Sequence, residues 1–427
     1  MQDVDTRTGR RPVMTRYSRR TLLKAGAAFA GASISGFPAI VRAQATRIKI
    51  GHLTPLTGFL GAIGGYAQLG VKLAAEEINQ AGGIMGKQID LMSEDSVNPA
   101  TASTKAQRMI EQDGAVVLVG EISSASSLTI MQVAERNKKV FFSTGARSDA
   151  LRGKSCNRYS FHCDIPNTVM VNAVGTALNQ KGMVKGKKFF TLTADYIFGH
   201  DLLKAAKSFF DANNANLIGD ELIATDVTDF SPYLLKVRQA KPDVVCCNLA
   251  GNQVTNLVKQ YAEFGFPYPL VGFNLNTGDA WAAGEGNLSG TWPTVWYHTL
   301  DNAASKAFVA AFTKKYDKPP ENHAWIDYVT LKLLAQAIEE TKSTDSEALI
   351  AHFEKQTQFD IMKARKAYFR NWDHQLVQEA YPFTVKPKNE MKDKWGMLVL
   401  GNPVPVPGEP LESIYPTKAQ NPCEMKA

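Results

Sequence analysis

Four loops of this 427-residue chain gather the residue types that bind small anions. Gly120-Glu-Ile-Ser-Ser-Ala-Ser-Ser127 leads from an apolar run into a helical pattern, and Ser143-Thr-Gly-Ala-Arg-Ser-Asp149 follows another apolar run. Leu53 to Gly65 is glycine-rich, and Ala194 to Asp201 carries two aromatics. Hydroxyls and free backbone N–H groups at a helix start suit a carboxylate. Ser124 and Ser126, with backbone groups at Gly145 and Ala146, are a candidate cradle, and the planar fork of Arg147 matches the same anion. Tyr196 and Phe198 could cover an apolar part of the ligand. Each also has a plainer reading: Ser123 to Ser127 as a helix cap, Arg147 as a solvated surface cation, and the two aromatics as packing between lobes.

Signals for catalysis are missing. The chain has no GxSxG elbow, no GxxxxGK[ST] loop and no HExxH helix. Gly58, Gly61 and Gly64 have the wrong spacing for a dinucleotide fingerprint, and Asp373-His374-Gln375 reads as structural. Of five cysteines, none forms a CxxC pair and none clusters with histidine at metal spacing. Neither a catalytic residue, a metal nor a cofactor is therefore expected. Cys246 and Cys247 lie in a buried strand pattern. An oxidising compartment permits a disulfide, for which Cys156 with Cys423 is the favoured pair, and the odd count leaves at least one free thiol.

The elements that must position these loops alternate strand and helix. Ile48 to Leu53 reads as a strand, and Tyr66 to Ala81 as a helix with Val71, Ala74, Ala75 and Ile78 on one face. Strands at 88–93, 115–119 and 140–143 alternate with helices at 101–113 and 126–138. The pattern restarts with strands at 189–193, 217–223, 243–249 and 269–272, separated by helices after 193 and at 231–239 and 254–264. Repeated βα units imply parallel sheets covered on both faces. Two such series, broken near Pro166, imply an α/β protein of two doubly wound lobes. The proline-rich stretch from Pro382 to Pro422 is expected to wrap the surface.

The first 45 residues read as an export signal. Ser18-Arg19-Arg20-Thr21-Leu22-Leu23-Lys24 precedes a mild apolar run to Phe37, and Val41-Arg42-Ala43 with Ala43-Gln44-Ala45 offers cleavage after Ala43 or Ala45. The paired arginines resemble a twin-arginine signal, which places the mature protein in the periplasm. Met14 is an alternative start. The chain carries 48 basic and 41 acidic residues, a net of +7. Eight of the former and two of the latter fall in residues 1–45, so the remainder carries +1. That balance argues against a nucleic-acid partner, and no later stretch is apolar enough to embed in a membrane.

The mature chain resembles the branched-chain (hydrophobic) amino acid solute-binding proteins of ABC importers, the type I periplasmic binding proteins. The likeness rests on Ile48-Lys-Ile-Gly-His-Leu-Thr-Pro-Leu-Thr-Gly58, Gly70 to Asn79 with Gly82 to Gly86, Gly120 to Ser127, Ser143 to Asp149, Asp195 to Gly199 and Trp325-Ile-Asp-Tyr328. It implies two Rossmann-like lobes joined by three hinge crossings, with the ligand in the cleft between them. Lobe 1 would combine 46–168 with 299–369, and lobe 2 would combine 169–298 with 370–427. The family's carboxylate contacts fall on Ser124, Gly145, Ala146 and Arg147, and a contact from lobe 2 falls on Tyr196 or Phe198. Amino-acid binders often place an acid after the strand ending at Gly272, to hold the ligand's ammonium. Here that position is the neutral Asn274, and a buried ammonium without a counter-charge is costly. Together with Arg147 this favours an acid lacking an amino group, although Asp279 could supply the charge. The resemblance further implies a monomer that delivers its ligand to ABC permease subunits. The alternative is a periplasmic receptor that senses amides or amino acids for a signalling partner. Replacing Arg19 and Arg20 with lysine should abolish periplasmic accumulation, and mass spectrometry of the exported wild type should find its first residue at Gln44 or Thr46.

Overall fold

The apolar runs that end at the candidate loops are buried on both faces, as strands of a parallel sheet must be. The structure, a computed structural model, describes residues 47–425. The export signal and its cleavage points lie outside the described residues. The first series runs β1 (Ile48–Thr54), α1 (Gly61–Gln80), β2 (Ile89–Asp95), α2 (Pro99–Glu111), β3 (Val117–Gly120), α3 (Ser124–Arg136), β4 (Val140–Ser143) and β5 (Ser160–His162). Its five strands form one parallel sheet in the order β2-β1-β3-β4-β5. The second series runs α4 (Asn167–Gln180), β6 (Lys188–Ala194), α5 (Ile197–Ala212), β7 (Asn216–Ile223), α6 (Ser231–Ala240), β8 (Val244–Asn248), α7 (Asn252–Phe264) and β9 (Leu270–Gly272). It forms a four-stranded parallel sheet in the order β7-β6-β8-β9. Both orders reverse between the first and third strands of the series, where doubly wound sheets open a crevice for ligands. Those crevices lie beyond β1 and β3 in one lobe and beyond β6 and β8 in the other.

The chain continues with α8 (Thr277–Ala283), β10 (Thr291–Thr294), α9 (Ala303–Tyr316), α10 (Asn322–Thr341), α11 (Ser346–Phe353), β11 (Tyr368–Phe369), β12 (Leu376–Val377), β13 (Tyr381–Val385) and β14 (Leu398–Leu400). Helices α9 to α11 return to the first lobe, where Phe308, Trp325, Leu334 and Phe353 join Ile50, Val71, Val119 and Phe142 in one core. A Cβ at Gly70 would stand 2.0 Å from the Ala324 carbonyl oxygen, so this glycine lets α1 lie directly on α10. Helix α1 begins at Gly61, five residues before the expected start at Tyr66. A Cβ at Gly64 would meet the Pro55 carbonyl oxygen at 1.6 Å. The glycines here allow a close helix start and are not the cradle of an open loop.

The tail departs most from expectation. Instead of wrapping the surface throughout, it supplies β13, which pairs antiparallel with β10 in the second lobe, and β14, which pairs antiparallel with β13. Assigning all of 370–427 to lobe 2 also fails. Leu376, Val377 and Ala380 lie in the first core, and Val404, Ile414 and Tyr415 return to it after β14. Cys156 and Cys423 form a disulfide with Cα atoms 5.7 Å apart, tying the end of the tail to the first lobe. Short antiparallel strands set among prolines leave little periodicity to read.

Four passages connect the lobes: β5 to α4, β10 to α9, β12 to β13, and the return from β14 to Val404. Side chains yoke the first to the third. Gln378 donates to the Cys163 carbonyl at 2.6 Å, and Gln375 to the Asp164 carbonyl at 2.9 Å. Lys363, buried beside them, donates to Gln378 Oε1 at 2.8 Å and to the Glu379 carbonyl at 2.7 Å.

The remaining thiols, Cys163, Cys246 and Cys247, are all buried. Burial pushes Cys163 and Cys247 up to about 12, which leaves them unreactive. Thiol labelling of the exported protein should therefore find none when native, three when denatured and five after reduction. Replacing both Cys156 and Cys423 with serine should cost about 2–4 kcal/mol of stability, read from denaturant melts.

Candidate ligand-binding site

The loops after β3 and β4 face the loops after β6, β8 and β9 across the cleft, and the two lobes meet. Thr277 N–H donates to Asn322 Oδ1 at 3.1 Å, and Ala150 N–H to Asp201 Oδ2 at 3.0 Å. An apolar cluster also spans the cleft, joining Leu60, Ile63 and Ile122 to Phe198, Val271 and Phe273.

Arg147 lies at the centre of this closed arrangement. It is 3% exposed, so the reading as a solvated surface cation falls. Its Nε donates to Asp164 Oδ2 at 2.8 Å, within its own lobe and at the first crossing. Its Nη1 reaches the opposite lobe, to Asn274 Oδ1 at 2.6 Å and Asn276 Oδ1 at 3.1 Å. Its Nη2 is buried without a partner among the described residues. One guanidinium thus joins both lobes and the hinge and keeps donor capacity for an anion. Arg152 fixes the loop from behind: its guanidinium donates to the carbonyls of Ser148 at 2.8 Å and Ala146 at 3.0 Å.

The expected cradle is only partly present. Ser124 opens α3, and its Oγ accepts from Ser148 N–H at 3.2 Å, which leaves its own hydroxyl hydrogen to donate. Ser126 lies in the first turn, with its N–H donating to the capping oxygen of Ser123. The Gly145 N–H already donates to the Glu121 carbonyl at 3.0 Å, so it is not a free anion donor as expected. The Ala146 N–H makes no hydrogen bond with the described residues. Gly145 serves instead through its missing side chain, since a Cβ there would stand 2.9 Å from the His323 ring.

Tyr196 caps the N-terminus of α5, and its ring meets Phe59 edge-on at 5.7 Å across the cleft. Phe198 is buried in the cluster spanning the lobes. Asn274 is not an open ligand contact. Its oxygen serves Arg147, and its nitrogen donates to the Leu249 carbonyl at 2.9 Å. Asp279 is buried in α8 and accepts from Asn276 Nδ2 at 3.1 Å. Burial, with Glu321 nearby, pushes its carboxyl up to about 7, against the pull of that hydrogen bond.

Other buried charged groups belong to the same site and were not singled out from sequence. Glu121 follows β3 with φ at +73°, and its Oε1 accepts from the N–H groups of Ile122 at 3.0 Å and Ser123 at 2.7 Å. Burial pushes it up to about 7. Glu321 and His323 open α10. An acid directly after a buried apolar strand was the available clue to Glu121. The residues Pro319-Pro320-Glu321 marked a helix start, but nothing in the sequence aimed it at the cleft.

A family model described as periplasmic binding protein matches residues 47–391. The chain is 24% identical over 327 residues to Leu/Ile/Val-binding protein homolog 7 of Brucella melitensis biotype 1, covering 71% of this chain and 79% of that one. A periplasmic binding protein from Burkholderia mallei superposes with a TM-score of 0.81 at 28% identity, covering 88% of this chain and 98% of the other. A solute-binding protein of an ABC transporter from R. palustris, solved in complex with benzoate, superposes with a TM-score of 0.74 at 23% identity, covering 84% and 96%. With its two doubly wound lobes and the cleft between them, the chain belongs to the periplasmic binding protein family, as a solute-binding protein and not an enzyme.

Proposed function

We propose that this protein captures a small carboxylate-bearing solute in the periplasm, closes its lobes on it and presents it to the permease of an ABC importer. The observation that carries this reading is Arg147, a buried cation that joins both lobes and whose Nη2 has no partner among the described residues. Ser124 and the Ala146 N–H stand in the loops beside it as further donors. A ligand that satisfies these donors only when the lobes meet shifts the open–closed equilibrium by its differential affinity for the closed form. Aromatic or aliphatic acids are the favoured class. The oxygen of Asn274 is committed to Arg147, so that position supplies no counter-charge for an ammonium, and the R. palustris neighbour was solved with benzoate. Asp279 supports the second reading, an amino acid, as does the name of the Brucella relative. Export would follow from the paired arginines, with the signal cleaved after Ala43 or Ala45.

Thermal melts should be recorded with benzoate, adipate, leucine and isoleucine, and with benzamide and leucinamide as neutral-carboxyl controls. At about 1,000 times its dissociation constant, a true ligand adds roughly 4 kcal/mol, a clear rise in melting temperature. A rise with acids but not their amides is expected. Response to the amides alone would refute the carboxylate reading, and response to amino acids alone would assign the ammonium to Asp279. Arg147→Ala should lose binding and also about 3–5 kcal/mol of stability, because it strands the buried Asp164. Arg147→Met with Asp164→Asn should regain much of that stability without regaining affinity.

A further inference from the structure

Helix α10 starts on an unusual first turn. Glu321 caps it by accepting the His323 N–H at 2.6 Å. This folds the carboxylate over the His323 ring, whose Nδ1 lies 3.2 and 3.3 Å from its two oxygens. The carboxylate draws a proton to Nδ1, while Asn322 Nδ2 lies 3.3 Å from the same nitrogen. The opposite nitrogen, Nε2, belongs to a residue 1% exposed and has no partner among the described residues. A buried polar atom left in this way is rare and calls for an explanation. The ring's position supplies one. A Cβ at Gly145 would stand 3.1 Å from Nε2, so the imidazole rests on the loop that carries Ala146 and Arg147.

We propose that His323 is a specificity-determining ligand contact, donating from Nε2–H to the carboxylate of the bound acid beside Arg147. The inference rests on the carboxylate reading above and adds a second cationic donor to it. The charged groups facing the ring are Glu321 from its own helix, Arg147 and Asp164 from lobe 1, and Asp279 from lobe 2. Burial disfavours the imidazolium, as does Arg147, but Glu321 outweighs them and the pKa is raised above the usual histidine value. A protonated ring donates from both nitrogens, one to Glu321 and one to the ligand. A carboxylate answers that charge, and an amide or ester of the same shape does not. The sign for pH follows. The contact is complete where the ring is protonated and is lost as pH rises through its pKa.

Calorimetric titration of the full exported protein with benzoate and with leucine, from pH 6 to 9, tests this on wild type, His323→Ala and His323→Gln. Glutamine places a neutral N–H donor near the position of Nε2. His323→Ala should bind about 10- to 100-fold more weakly, the weight of a charge-assisted hydrogen bond, and should also lose stability because it strands the buried Glu321. His323→Gln should retain binding but lose part of the wild-type decline with pH. Glu121 and Asp279 also titrate in this range, so the difference between wild type and His323→Gln isolates the imidazole. Equal affinities and equal pH slopes in wild type and His323→Gln, with binding unchanged in His323→Ala, would overturn the inference. If alanine prevents folding, the slope of His323→Gln decides alone. Wild type that binds neither compound, and none of the acids in the thermal panel, would defeat the carboxylate reading itself, and this inference with it.

Discussion

A guanidinium buried between two lobes must be neutralised and hydrogen-bonded, or the closed state does not form. Asp164 meets that demand for Arg147 from the first crossing, and Asn274 and Asn276 meet it from the facing lobe. Much of the surrounding structure follows from this requirement. The loop after β4 must hold its carbonyls toward Arg152 so that Arg147 can turn into the cleft. The loop after β9 must present two side-chain amide oxygens, those of Asn274 and Asn276, to the guanidinium. Removing either partner alone would leave a charge in a medium that does not solvate it, so the arginine and its neighbours have to be understood as one unit.

The cleft mixes signs in a way that suits a binding protein. Arg147 and His323 lie among four buried carboxyls, Asp164, Asp279, Glu121 and Glu321. Two of these carboxyls are pushed up to about 7 by burial, so they can stay protonated at little cost and act as donors or acceptors. Such a site needs no nucleophile and no metal to be selective. It discriminates by which buried partners a solute leaves unanswered.

The fold was legible wherever burial imposes a pattern. Apolar runs such as Val117–Gly120 and Val140–Ser143 are buried on both faces, and the sequence shows them as unbroken hydrophobic stretches. Strands β13 and β14 were not legible, because short antiparallel strands among prolines carry no such run. The site was legible as a set of residue types on the loops that follow strands. Its contacts were not, because they join residues far apart in the chain. Arg147 and Asn274 are separated by 127 positions, and only the assembled lobes bring them together. Gly145 shows the same limit. Its position was marked, but its use turned on the ring of His323, on a helix that begins far downstream.

The glutamine yoke at the crossings bears on how such a molecule can move. Gln375 and Gln378 fasten the third crossing to the carbonyls of Cys163 and Asp164 on the first, at nearly the same point along both chains. Two cords knotted together there cannot flex at different heights. A turn of the lobes at either of these two crossings must therefore carry the other with it. Asp164 sits in that knot and also grips Arg147, so the crossings and the guanidinium that joins the lobes are one mechanical piece.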